Sequence, residues 1–485
     1  MTRLAPVLHV LGLVVMVFSF TMLLPVATAF IERDTGQHSF DEAFLATLMG
    51  GLLLWLITRS GRRELQARDG FLLVVLVWAV LPAFAAFPLM IYQPGLSFTD
   101  AYFETTSGLT TTGATVLTGL DNLPHSINLW RHFLNWIGGM GIIVLAVAVL
   151  PLLGIGGRQI FKAETPGPMK DSKLTPRITD TAKALWGVYA AITLACIFAL
   201  KIAGMSWFDA LCHAFAAMGL GGFSTHDASI GYFDSPWIEG VLMVFMLLAA
   251  LNFATHFLAF RARSLRPYGH DPEVLGTLGL IVLSCAGLSL YIWQKGVYPD
   301  FLTALRHVSF NLVSVATDCG FASADFNLWP IFVPMCFLLL SCITASSGST
   351  GGGIKMIRTL LLFKQGAREL ERQIHPHAVL PVKIGGHVIS NQIIFAVQAF
   401  AMLYIGTITA ATLTLLASGL DFISALSGVI ACINNAGPGL DRVGPATNYQ
   451  SLSDFQTWVY TLTMLLGRLE LFTVFVLLSP RFWKA

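Results

Sequence analysis

Charge is what this chain has least of. Only 12% of its 485 residues are Asp, Glu, Lys or Arg, while 55% are hydrophobic and the mean hydropathy is +0.71. A water-soluble fold needs a charged surface to cover its core, and that surface is missing, which excludes soluble enzymes and nucleic-acid binders. The seven cysteines, at 196, 212, 285, 319, 336, 342 and 432, form no Cys-x-x-Cys pair and no Cys/His metal spacing. Most lie in apolar segments, so they read as small buried hydrophobes, neither a disulfide framework nor a zinc site. Clustered nucleophiles, bases or metal ligands at one depth are also lacking: His256, Asn252 and Glu239 are scattered, which counts against a membrane-embedded enzyme. What remains is an all-α polytopic membrane protein.

A spanning helix takes about 20 apolar residues. Two such runs come first, at about 7–30 and 41–58. Ala27-Thr-Ala29 looks like a signal-peptidase site, but the run before it is longer than a usual signal core, and the expectation is a retained helix.

Four further units then follow one plan: an apolar span, a shorter apolar segment, a polar glycine-bearing loop, and another span. The short segments lie at about 100–110, 209–219, 301–316 and 421–433. The loops contain Thr111-Thr112-Gly113, Leu220-Gly221-Gly222, Asp318-Cys319-Gly320 and Asn435-Ala436-Gly437, their glycines 109, 98 and 117 residues apart. Ten to fourteen apolar residues suit a re-entrant segment, and polar backbone at membrane depth is tolerated only in protein or beside water. The expected architecture is ten transmembrane helices, eight of them in four helix–pore loop–helix repeats with pseudo-fourfold symmetry around one pore. The boundaries are two helices in 1–66, then repeats at 67–156, 157–262, 263–372 and 373–485. Asp100, Asp209, Asp300 and Asp421 stand where the half-helices begin, and are expected to cap them.

Twenty-two of the 29 Lys and Arg fall at the termini or between units, so these segments and both termini are expected in the cytoplasm. The opposite face holds only Arg33, Arg131, Lys201, Lys295, Arg306 and Arg442 against 17 acids. An acidic mouth concentrates cations. To strip water from a cation a pore must offer a ring of oxygens, which backbone carbonyls supply where glycine allows positive φ. Side chains before the glycines differ between loops, so backbone is the expected ligand, with threonine hydroxyls as additions. The half-helices run inward, and their negative C-terminal ends favour a cation at midplane.

Thr-Thr-Gly-Ala, Gly-Gly-Phe-Ser-Thr, Thr-Asp-Cys-Gly-Phe and Asn-Asn-Ala-Gly-Pro-Gly, in this order after two leading helices, resemble the TrkH/TrkG/KtrB family of bacterial potassium uptake proteins. The match covers essentially the whole chain. It implies a potassium ion bound at the filter residues Thr111, Thr112, Gly113, Leu220, Gly221, Gly222, Asp318, Cys319, Gly320, Asn435, Ala436 and Gly437, and no organic cofactor. Gly113 goes with potassium-type filters, since sodium-passing plant relatives can carry serine there. None of the loops has the Thr-Val-Gly-Tyr-Gly string of potassium channels, so looser selectivity is expected. The resemblance also implies the bacterial inner membrane, a homodimer, and a cytoplasmic nucleotide-sensing subunit of TrkA type. Basic segments 157–183 and 355–383 could dock it, or could simply fix topology.

The last span of the third unit, about 328–362, is interrupted by Ser346-Ser347-Gly348-Ser349-Thr350-Gly351-Gly352-Gly353, followed by Lys355. Such a run holds a helix poorly and is expected to be flexible and to line the pore. It lacks the Gly-Lys-[Ser/Thr] ending of a phosphate-binding loop and no strand precedes it. The resemblance makes residues 345–353 an intramembrane loop that blocks the path below the filter. Arg468, at membrane depth in the last helix, faces the pore and repels cations, or pins this loop through its carbonyls, or pairs with another helix; Glu470 is on the wrong face to partner it. His213 and His307 read as packing or hydrogen-bonding residues. The function expected is potassium uptake without covalent chemistry. A gated channel is favoured over a proton- or sodium-coupled symporter by the scarcity of midspan acids and histidines.

Overall fold

The computed structural model describes residues 4–59, 65–144 and 178–484. Among the described residues it is helical except for loops and one antiparallel pair, Lys383–Ile384 against His387–Val388, in which Lys383 faces Val388 and Ile384 faces His387. Six helices are long and apolar enough to cross a bilayer: Ala5–Glu32, Gln37–Ile57, Arg68–Tyr92, Ala182–Ile202, Pro272–Gln294 and Asn391–Ala417. Each buries only 22–39% of its most apolar stretch inside the protein. The apolar remainder faces outward, stable in lipid and a liability in water. The chain is a multi-pass membrane protein.

Two spans expected to be continuous are broken, and a third is interrupted where expected. Pro236–Ala250 and Phe253–Ala262 bend by 99°, because Asn252 caps the second helix by accepting from Ala254 N. Asp454–Arg468 and Phe472–Leu478 bend by 111°, where Glu470 and Leu471 take positive φ. The third-unit span is two helices, Phe332–Ser341 and Met356–Ile374, separated by the small-residue loop. Counting each bent pair once gives up to eight spans. The end of the span expected at 126–153, and the basic segment from 157 to 177, lie outside the described residues.

The four short segments are helices: Phe98–Leu109, Trp207–Gly219, Phe301–Ala316 and Phe422–Asn434. They are buried over most of their length, polar side chains such as Glu104, Thr105, Thr106 and Ser107 included. While the long outer helices turn apolar side chains outward, the half-helices thus carry polar ones into the interior. Their caps correct the expectation in part. Asp300 and Asp421 do cap, accepting from Thr303 N and Ser424 N at 2.8 Å. In the first two, the cap is Ser97 or Ser206, which accepts from the backbone of Asp100 or Asp209 three residues on. A serine placed three residues earlier takes the cap and leaves the aspartate in the first turn, where the helix dipole still favours it.

Inner helices approach these half-helices closely. A Cβ on Gly138 would stand 2.0 Å from Leu109 O, and one on Gly467 2.0 Å from Ile433 O. Small residues permit such contacts inside membranes, where lipid gives no hydrophobic drive for packing.

Candidate functional site

Each half-helix ends in the same way. Thr111, Leu220, Asp318 and Asn435 are left-handed, with φ of 54, 54, 66 and 59°. Their N–H groups bond back three residues, to the carbonyls of Gly108, Ala217, Val315 and Cys432. The next residues, Thr112, Gly221, Cys319 and Ala436, bond back five, to Ser107, Ala216, Ser314 and Ala431, at 2.8–2.9 Å. This is the Schellman termination, usually made by glycine at the left-handed place. Here no glycine stands there, and a β-branched Thr111 or a leucine in that region costs about 1–3 kcal/mol. The glycines come two residues later, where Gly113, Gly222, Gly320 and Gly437 again have positive φ, of 81, 60, 91 and 86°.

What requires glycine there is the neighbouring loop. A Cβ on Gly113 would lie 2.0 Å from Gly221 O, one on Gly222 2.1 Å from Cys319 O, one on Gly320 2.3 Å from Ala436 O, and one on Gly437 2.6 Å from Thr112 O. First touches second, second third, third fourth, and fourth first. The four loops close into a ring, with the carbonyls of Thr112, Gly221, Cys319 and Ala436 beside the glycines of their neighbours. Asn435 reinforces the closure, donating to Thr112 Oγ1 at 3.0 Å. A cavity of about 80 Å³ touches all four glycines, with His226, Asp227 and Arg131 also on its wall.

Against the other side of the ring lies the small-residue loop. It is not the loose segment expected: Ser346, Ser349 and Thr350 are buried and tied down. The break after Ala250 leaves carbonyls that it uses, Ser346 N donating to Ala250 O at 3.0 Å, while Phe253 N donates back to Gly348 O at 3.2 Å. Glu273 Oε1 accepts from Ser347 N and Ile357 N, so one carboxylate fastens both sides of the loop. Thr350 Oγ1 donates to Met218 O at 3.1 Å and the Thr344 hydroxyl to Ala316 O, the ends of the second and third half-helices. A Cβ on Gly352 would stand 1.9 Å from Asn434 O of the fourth. Arg468, 3% exposed, donates to Thr350 O at 2.9 Å and to Gly138 O at 2.8 Å. Of the three readings open to it, this geometry is that of pinning the loop. Glu470 pairs with Arg358 at 2.5 Å instead.

The model of the TrkH family, described as a cation transport protein, matches residues 35–284 and 299–485. The chain belongs to the TrkH family. Its family is one of transport proteins, not of enzymes. The Trk system potassium uptake protein TrkH of Salmonella typhimurium is 46% identical over 477 residues, 98% of each chain. TrkG of Escherichia coli is 39% identical over 484 residues, 99% of this chain and 98% of that one. The crystal structure of the potassium transporter TrkH from Vibrio parahaemolyticus matches at a TM-score of 0.90 and 43% identity, covering 99% of this chain and 100% of that one.

In this TrkH-family chain the twelve residues expected in the filter lie in the four loops of the ring. The ten expected in the gate, Ser346 to Gly353, Lys355 and Arg468, lie together beneath it. Of the side chains that hold the segment following each glycine, sequence reasoning found only His213, as a hydrogen-bonding residue, and missed the other three. Glu104 accepts from Val116 N at 3.0 Å, His213 Nε2 meets Ser224 Oγ at 2.9 Å, Asn311 accepts from Ser323 N at 3.1 Å, and Ser427 accepts from Leu440 N at 2.8 Å. A signal existed: each stands nine or ten residues before its glycine. Glu104 also pairs with Arg131 at 2.8 Å, both 1% exposed, so one of the few outer cations is neutralised in place.

Proposed function

We propose that this protein carries potassium ions into the bacterial cytoplasm through the ring of four glycine loops. The observation that supports it most is the cyclic closure, in which four carbonyls can replace part of an ion's hydration shell. The cargo is the one named for the relatives above. On this reading the chain has ten spans, with four repeats around one pore and both termini cytoplasmic in the inner membrane. Glycine permits the ring because a side chain at any of the four positions would drive into the neighbouring carbonyl.

The loop from 345 to 353 blocks the exit from the ring. It satisfies half-helix carbonyls whose negative ends would otherwise attract a cation, and Arg468 holds it there. Withdrawal of the loop opens the path. A homodimer and a cytoplasmic nucleotide-sensing subunit of TrkA type would supply the force, acting on the basic segment 355–383 that follows the loop.

The test is tracer rubidium uptake into liposomes that contain only this protein, with no proton or sodium gradient. Uptake blocked by potassium and spared by sodium is the expected result. Uptake that appears only with an imposed proton or sodium gradient would replace the passive pore with a coupled carrier.

A further inference from the structure

Three consecutive residues of the loop are each held by a charged side chain. Thr350 O accepts from Arg468, Gly351 O accepts from the Lys355 ammonium, and Gly352 N donates to Asp318 Oδ2 at 3.0 Å. Asp318 is the single carboxylate among the twelve ring residues. It is fully buried, and its other oxygen, Oδ1, has no hydrogen-bond partner among the described residues. A buried carboxylate left half satisfied is costly. Backbone conformation does not require an aspartate here, because Asn435 serves the same left-handed place in the fourth loop without a charge. A Cβ on Gly351 would lie 3.2 Å from Asp318 Oδ2, so the loop backbone packs directly against the carboxylate, while the Lys355 ammonium holds that backbone through Gly351 O.

We propose that the Asp318 carboxylate is a monovalent-cation site at the inner end of the ring, which the loop occupies in the blocked state through Gly352 N–H, held there by the Lys355 ammonium on Gly351 O. This rests on the reading of the ring as a conduction path. When the loop withdraws, Gly352 N–H leaves with it and a permeating ion takes the place. Loop and ion therefore compete for one carboxylate, and inner potassium favours the open state.

The test uses the full chain with Asp318→Asn and Lys355→Gln, each alone and combined with Gly352→Ala to displace the loop. Asparagine keeps an acceptor for Gly352 N–H and suits the backbone. Asp318→Asn is expected to raise rubidium leak into liposomes about fivefold, as a charged acceptor becomes a neutral one. In the Gly352→Ala background it should lower bilayer conductance at limiting cytoplasmic potassium about threefold, converging with the parent at saturation, because one focused charge sets local ion concentration. Lys355→Gln should raise the leak without lowering that conductance. Raised leak with unchanged conductance would reduce Asp318 to a mechanical latch and overturn the site, as would an unchanged Lys355→Gln leak should Asp318→Asn not fold. Absence of flux in both the parent and Gly352→Ala would sink the pore reading itself.

Discussion

Replacing Gly113 with alanine perturbs the ring at its tightest point. The added Cβ would fall 2.0 Å from Gly221 O, and since real contacts of this kind are essentially never under 3.0 Å, the carbonyl must retreat by about 1 Å. The residue would also have to hold φ near 81°, which costs an alanine about 1–2 kcal/mol. If the ring yields by widening, one of its four carbonyls moves off its site. A loss of about 1–2 kcal/mol in discrimination is a factor of roughly 5–30 in the potassium-to-sodium preference. The assay is rubidium uptake with each ion as competitor, with thermal stability measured in parallel. The distances predict an order: Gly437→Ala, at 2.6 Å, should be the mildest of the four and Gly113→Ala the most severe. Gly240, with nothing within 4 Å, is the control. Wild-type discrimination in a folded Gly113→Ala protein, or equal effects at Gly113 and Gly240, would refute the reasoning. Gly113→Ser carries the same Cβ and should weaken discrimination likewise.

Other substitutions test the underside and the anchors. Gly352→Ala puts a Cβ 1.9 Å from Asn434 O and should displace the loop, raising rubidium uptake into liposomes above that of the parent. Arg468→Ala removes two charge-assisted bonds, to Thr350 O and Gly138 O, and should raise leak by at least about tenfold, bonds to charged groups being worth about 1.5–3 kcal/mol each. Glu104→Ala leaves Arg131 buried without its partner and should cost about 3–5 kcal/mol, read as a fall in melting temperature in detergent.

The architecture was legible where it depends on composition and repetition. Apolar length marked the outer spans, and four glycine-bearing loops after four short apolar segments marked the ring. The residues expected in filter and gate come together because membrane depth and chain order constrain them jointly. The broken helices were not legible. Leu251-Asn252 and Leu469-Glu470-Leu471 sit inside runs whose average hydropathy passes for a continuous span, and their breaks follow from a cap and from positive φ. The capping serines at 97 and 206 are hard to single out in the sequence because the aspartates three residues on carry the more visible charge. Order in the small-residue loop was hidden for another reason. Its stability comes from carbonyls freed at Ala249 and Ala250, from Glu273 and from Arg468, all distant in sequence, so composition alone suggested looseness. The Schellman turns made without glycine show the same limit. Thr111 and Leu220 hold left-handed backbone because the packed ring leaves them no other.

The most direct test of the central claim is anomalous diffraction from crystals of this protein grown in rubidium or thallium. The account predicts an anomalous peak within the ring, within coordination distance of the carbonyls of Thr112, Gly221, Cys319 and Ala436, that is lost on exchange into sodium. Strong peaks elsewhere along the protein with none in the ring would contradict it.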